Sequence, residues 1–213
     1  MKRGRFIAFE GGEGSGKSTQ ARILADALAG RGIATELTRE PGGTPGAEAI
    51  RSLLLEPPGE GWGAPAEALL FAAARADHVA RLIKPALDAG RWVVCDRFVD
   101  SSRAYQGGAG GVGDEAVLAL HAIGSDDLRP DLTILIDIPP QIAAQRLLAR
   151  DAGRSDAIGG RDARYHAKVA EAFRAFAGAE PNAFAVVAGD ASPEQVHARV
   201  LDALSPFLSE SAG

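Results

Sequence analysis

Residues 11–19 read Gly11-Gly12-Glu13-Gly14-Ser15-Gly16-Lys17-Ser18-Thr19, which fits G-x-x-x-x-G-K-[ST] at the required spacing. Glycines carry no Cβ, so successive backbone N–H groups can turn toward a single anion. A helix that follows adds its own unpaired N–H groups and the positive end of its dipole. In such a loop Lys17 reaches the β- and γ-phosphates of a nucleoside triphosphate, and the Ser18 hydroxyl ligates Mg²⁺. A glycine-rich turn can also bind nothing, and the flanks decide between the two. Phe6-Ile7-Ala8-Phe9 reads as a buried strand and residues 20–28, rich in Ala and Leu, as a helix.

Charged residues at other strand ends extend this chemistry. Arg39 follows one predicted strand, and Asp96-Arg97 follow another. Arginine grips phosphate through two parallel hydrogen bonds. Arg51 is a third candidate, although alone it reads as a surface residue. Asp96 stands where a carboxylate would hold Mg²⁺ or its water shell. Phe71 and Arg75 are one helical turn apart and share a face. A Phe on such a helix is ordinarily core. The histidines at 78, 121, 166 and 197 fall on predicted helices and read as structural or solvent-facing.

Five strands, at 5–10, 33–38, 91–95, 132–138 and 184–187, alternate with helical stretches. That order predicts an α/β three-layer sandwich of the P-loop NTP hydrolase type, with a five-stranded parallel sheet and helices on both faces. Ligands of such sheets sit at the carboxyl ends of the strands. The helices are expected at 20–29, 47–55, 66–89 (kinked or broken before Pro85), 101–105, 114–123, 140–150, 162–177 and 192–208. Residues 107–113 read as a glycine-rich loop, with Asp114 capping the next helix. The polar stretch at about 151–161 reads as a mobile lid on a single domain spanning 1–213.

The net charge of -5 leaves no basic footprint for nucleic acid. No run approaches ~18 apolar residues, so no membrane span is expected. The lone cysteine, Cys95, excludes an intrachain disulfide, suits a reducing compartment, and reads as a small buried hydrophobe.

Together, residues 10–19, Thr38-Arg39-Glu40-Pro41-Gly42-Gly43-Thr44, Asp96-Arg97-Phe98, Ala104-Tyr105-Gln106-Gly107-Gly108 and Arg129-Pro130-Asp131-Leu132-Thr133 resemble the bacterial thymidylate kinases, in order and over nearly the whole chain. The resemblance implies phosphorylation of dTMP to dTDP with MgATP by a cytoplasmic homodimer. It implies that residues 11–19 bind ATP, with Lys17, Arg97, Asp96 and Glu13 catalytic and Ser18 and Asp96 at the metal. It implies that Arg39, Phe71, Arg75, Arg97, Ser102, Tyr105 and Gln106 bind dTMP, with Phe71 on the thymine ring. Relatives lacking an arginine in the phosphate loop carry one in the lid, commonly in Asp-Arg-Phe/Ile-Glu. Here Ala157 stands at that place, and Arg150, Arg154 and Arg161 are the candidates to replace it.

Two rivals remain: another small-molecule kinase of the same fold, and a P-loop ATPase or GTPase switch. The first would differ at the acceptor pocket, where the Phe71–Arg75 pair and Tyr105-Gln106 favour a pyrimidine deoxynucleotide. A GTPase should carry Asn-Lys-x-Asp, which the sequence lacks. Transfer to a phosphate oxygen, whose second pKa lies near ~6, needs no general base. The sequence shows no His or Ser-His-Asp arrangement that would supply one.

Overall fold

The computed structural model describes residues 3–151 and 157–210. Five strands, β1 (Phe6–Glu10), β2 (Thr35–Arg39), β3 (Trp92–Asp96), β4 (Leu132–Asp137) and β5 (Phe184–Ala188), form one parallel sheet in the order β2-β3-β1-β4-β5. The predicted sheet is therefore present, with its boundaries shifted by one or two residues.

Alternation along the strands sends side chains to two cores. Ile7 and Phe9 face α1 (Lys17–Gly30) and α9 (Pro193–Glu210), against Leu24, Leu28, Val196 and Val200. Phe6 and Ala8 face the opposite layer, against Val79, Ile83, Leu87 and Phe98. Both faces are covered, which is why β1, β3 and β4 read as continuous apolar runs. A third cluster joins Leu135 and Phe184 to Val169 and Phe173 of α8 (Ala163–Ala179) and to Tyr105.

Between β2 and β3 come α2 (Pro45–Leu55), α3 (Ala64–His78), a π-helical turn (Val79–Ile83) and α4 (Lys84–Asp88). Where a kink or break is expected before Pro85, the helix continues through this widened turn. Pro85 falls in the first turn of α4, where its missing N–H costs least.

After β3, α5 (Val99–Ser102) runs into a second π-helical segment, Arg103–Ala109. Gly107 and Gly108 are thus helical, contrary to the expected loop. The Gly110 N–H donates to the Tyr105 carbonyl at 2.8 Å, so the wide turn satisfies its backbone. Asp114 does not cap α6 (Asp114–Ser125): Gly113 is the N-cap, and the Asp114 carboxylate accepts from Arg103 at 2.8 and 3.0 Å. Asp162 does cap α8, accepting from the Tyr165 N–H at 2.7 Å. The remaining helix, α7 (Pro140–Asp151), follows β4.

Candidate active site

The site is built on strand register. Phe9, Asp96 and Arg39 are aligned across β1, β3 and β2. The ladder continues past the strand ends, with the Arg97 N–H donating to the Phe9 carbonyl at 2.9 Å and the Glu40 N–H to the Asp96 carbonyl at 3.0 Å. The phosphate loop therefore leaves β1 beside Asp96-Arg97, with Arg39-Glu40 one strand further out.

Gly11 has φ 143, and a Cβ there would stand 2.5 Å from the Ile136 carbonyl oxygen, so only glycine lets the chain leave β1 this way. Gly16 caps α1 in the left-handed region without a side-chain hydrogen bond. The first-turn amides of α1 are left to a ligand, the usual arrangement of an anion site.

Lys17 folds over the loop, donating to the Gly12 carbonyl at 2.7 Å and the Ser15 hydroxyl at 3.3 Å. Burial pushes its ammonium down to about 8, and Arg97 adds to this, while Glu13, Asp96 and Glu10 oppose it. Ser18 donates its hydroxyl to Asp96 Oδ2, and Asp96 Oδ1 is buried without a hydrogen-bond partner. A hydroxyl and a carboxylate with a spare oxygen suit Mg²⁺, which takes few protein oxygens and completes its octahedron with water and phosphate. Among the described residues there is no cluster of three or more His, Cys, Asp or Glu that could hold a metal by itself.

Arg97 occupies φ 71, unusual for a residue with a side chain. That turn aims its guanidinium back over the sheet end, where it donates to Glu13 of the phosphate loop and to the Ser101 hydroxyl at 3.1 Å. Its Cζ lies 5.1 Å from the Tyr105 ring centroid, and the Tyr105 hydroxyl donates to Glu13 at 3.2 Å. Beneath this group Glu10 is fully buried, accepting from the N–H groups of Phe98 and Ser101 at 2.8 and 2.9 Å and from the Ser101 hydroxyl at 2.6 Å. Burial raises its carboxyl to about 7, with Asp100 adding to the rise and Ser101 and Arg97 opposing it.

A cavity of about 480 Å³ opens over these groups. Its wall includes Glu13, Gly14 and Gly16–Thr19 of the loop and helix start, together with Asp96 and Arg97. It also includes Arg39, Arg51, Phe71, Tyr105 and Gln106, and Ile158 from the described end of the expected lid. Arg39 donates to Glu48 at 2.8 Å and Arg51 to the Pro41 carbonyl at 2.7 Å. The four parts singled out in sequence (loop, Asp96-Arg97, Arg39, and Phe71 with Tyr105-Gln106) thus share one space.

Arg75 and Ser102 lie beneath that wall rather than on it. Arg75 is 3% exposed and donates to Glu40 at 2.7 Å, the Ser102 hydroxyl at 2.8 Å and the Phe98 carbonyl at 3.2 Å. Glu40 also accepts from His78 Nδ1 at 3.0 Å, and the Thr38 hydroxyl is 2.7 Å from His78 Nε2. Against its own burial, Arg75 and His78 hold the Glu40 carboxyl below the usual range. His78 is therefore structural, as its position on a helix suggested.

The lid arginines divide. Arg161 donates to Glu67 and to the Tyr165 hydroxyl. Arg154 and the side chain of Arg150 lie outside the described residues. Arg146 had no signal in the sequence, where it reads as the solvated face of a helix. It lines the cavity and donates to the carbonyls of Ser15 at 3.3 Å and Gly189 at 2.9 Å. Glu10 and Glu40 lie inside the quoted motifs but receive no role from the sequence, and Glu67 is not singled out, because their partners are distant in sequence. Cys95 is buried, and burial raises its thiol well above the usual value, so it is an inert core residue.

Residues 9–200 match the family model described as thymidylate kinase. The thymidylate kinase of Rhizorhabdus wittichii is 57% identical, over 96% of this chain and 99% of that protein. That of Nitrobacter winogradskyi is 50% identical, over 95% and 89%. Among solved structures, the thymidylate kinase of Ehrlichia chaffeensis superposes with a TM-score of 0.78 at 31% identity, covering 95% of this chain and 99% of that one.

Proposed function

Because this chain belongs to the thymidylate kinase family and is a dTMP kinase, we propose that its donor is ATP with Mg²⁺ and that both nucleotides meet in the cavity over β1 and β3. The γ-phosphoryl group passes to a phosphate oxygen of dTMP, giving dTDP and ADP. One observation carries this reading: the phosphate loop and the Arg97–Glu13 pair share a cavity with Phe71, Tyr105 and Gln106.

Each part has a task. The loop amides and Lys17 hold the donor's phosphate tail. Bound at Ser18 and Asp96, Mg²⁺ would neutralise charge on the phosphate oxygens. Arg97, held by Glu13 and Ser101, faces the acceptor phosphate with Arg39. Phe71 takes a face of the thymine ring and Gln106 meets the base edge, with the Arg75–Ser102 pair beneath the cavity wall. Tyr105, against Arg97, fills the space a ribose 2′-hydroxyl would need. Such transfer passes through a loose transition state, so alignment and charge stabilisation are most of the protein's work.

The chain is read as one domain, 1–213, with a lid at about 151–161. Ile158, on the cavity wall, supports the lid's position. A homodimer is supported by large apolar side chains left exposed on three helices that pack in succession, Leu53 on α2, Leu69 on α3 and Ile123 on α6. No helix among the described residues is long and apolar enough to cross a membrane; with a single buried cysteine, the cytoplasm is the proposed compartment.

A coupled ADP assay tests the whole reading. With MgATP constant, turnover should require an acceptor and favour dTMP strongly over dCMP and dGMP. Hydrolysis without an acceptor, or a non-nucleotide acceptor preferred over dTMP, would overturn it.

A further inference from the structure

Glu67 lies on α3, one turn before Phe71, and is 7% exposed. One oxygen, Oε1, accepts from Gln106 Nε2 at 2.8 Å. The other, Oε2, accepts from Arg161. Arg161 is itself fixed: it donates to the Tyr165 hydroxyl, and its Cζ stands 4.6 Å from the Tyr165 ring centroid. The Tyr165 hydroxyl in turn donates to the Tyr105 carbonyl at 2.6 Å. The carboxylate is therefore clamped from the lid side and applied to Gln106 from behind.

A carboxylate offers acceptors and no donor, whereas a primary amide carries one of each. Facing Glu67, Gln106 must turn its NH₂ inward. Its carbonyl oxygen is then the free end of a side chain that lines the cavity. An acceptor there can take the N3–H of a 2,4-dioxopyrimidine such as thymine. It meets a lone pair at N3 of cytosine, so two acceptors oppose each other and neither is satisfied.

We infer that Glu67 is a specificity-determining positioning residue: by fixing the Gln106 amide through Arg161, it makes the base pocket accept a hydrogen bond, and so selects a pyrimidine that carries N3–H. The inference rests on the reading that Gln106 meets the base edge.

The test is steady-state kinetics with dTMP and dCMP at saturating MgATP. Glu67→Gln is nearly isosteric and reverses the polarity. Its carbonyl takes Arg161, its NH₂ turns to Gln106, and Gln106 then shows NH₂ to the cavity. The ratio of kcat/KM for dTMP over dCMP should fall about tenfold or more, mainly through a higher KM for dTMP, with kcat at saturation largely kept. Glu67→Asp remains acceptor-only and should hold the wild-type ratio; it tests the same point should the amide variant fail to fold. An unchanged ratio in folded Glu67→Gln, or a ratio that collapses in Glu67→Asp, would overturn the inference. Gln106→Ala separates the two levels. If it raises the KM for dTMP while Glu67→Gln leaves the ratio alone, only the role of Glu67 falls. If it leaves the KM for dTMP at the wild-type value, the placement of Gln106 falls and this inference with it.

Discussion

Arg97 and Glu13 form an ion pair that ties the residue after β3 to the middle of the phosphate loop. On the proposed reading, the guanidinium that faces the acceptor is positioned by the same loop that would hold the donor. Arg97→Ala should lower kcat/KM for dTMP by roughly 10²–10³, and Arg97→Lys should recover only part of this, because an ammonium lacks the planar fork. Glu13→Gln should weaken the effect of a second change at Arg97, since the two act as a unit. A four-member kinetic cycle measures this, and additive losses would show that the pair has no joint role.

Lys17 titrates near 8 in the free protein, because burial and Arg97 disfavour its charge. Below that pH it is cationic and above it neutral. Affinity for a triphosphate should therefore fall as pH rises through about 8, and binding near that pH should take up a proton. Titration calorimetry in buffers of different ionisation enthalpy reads both effects. Lys17→Ala should lose this pH dependence and lower kcat by ~10²–10³.

For Glu10 the linkage acts on folding stability, which also falls with rising pH. Its folded value, about 7, lies above the ordinary 4.5. Between those values the native state keeps a proton that the unfolded chain has released, so stability falls as pH rises through the window. Glu10→Gln removes the titration while keeping the acceptor for the Phe98 and Ser101 N–H groups. The Tm of the variant minus that of the wild type should therefore grow by a few degrees between pH 4.5 and 7. A constant difference across that range would show that Glu10 does not carry the slope.

Phe71 is only half-buried and faces the cavity. Phe71→Ala should raise the KM for dTMP about tenfold while shifting Tm little. Phe173 is 1% exposed in the core, and Phe173→Ala should instead destabilise by about 3–5 kcal/mol. A large loss of Tm in Phe71→Ala with a normal KM would make it a core residue.

Ser18→Ala removes the hydroxyl that donates to Asp96. The Mg²⁺ concentration for half-maximal rate should rise, by about tenfold for the loss of one good ligand. A metal titration at fixed ATP measures it.

The loop, β1 and α1 were legible in the sequence because motif, apolar run and helical composition agree over a short span. Asp96, Arg97 and Arg39 were legible because parallel sheets place strand ends together. Residues 107–109 were not. Glycines ordinarily break helices, but here a wide turn carries them, with Val112 N–H donating to the Gln106 carbonyl at 3.1 Å and Gly113 N–H to that of Gly107 at 3.0 Å. The Glu67–Arg161 pair was hidden for another reason. Arg161 reads as a lid arginine for the phosphoryl group, Glu67 carries no motif, and 94 positions separate them. Arg129 and Asp131 carried part of the family resemblance, yet they serve as struts. Arg129 donates to Asp100 and Glu180 at 3.2 Å, and Asp131 accepts from the Phe6 N–H at 2.7 Å.

Phe9, Asp96 and Arg39 lie on one rung of three neighbouring strands. Adjacent strands are held at ~4.8 Å by their hydrogen bonds, so the backbone spacing of Asp96 from Arg39 is ruled by the sheet lattice and not by the loops above it. Drift on the outer helices leaves that ruler untouched. A slip of one residue in β3 would turn Asp96 to the opposite face, and no adjustment elsewhere could restore the alignment.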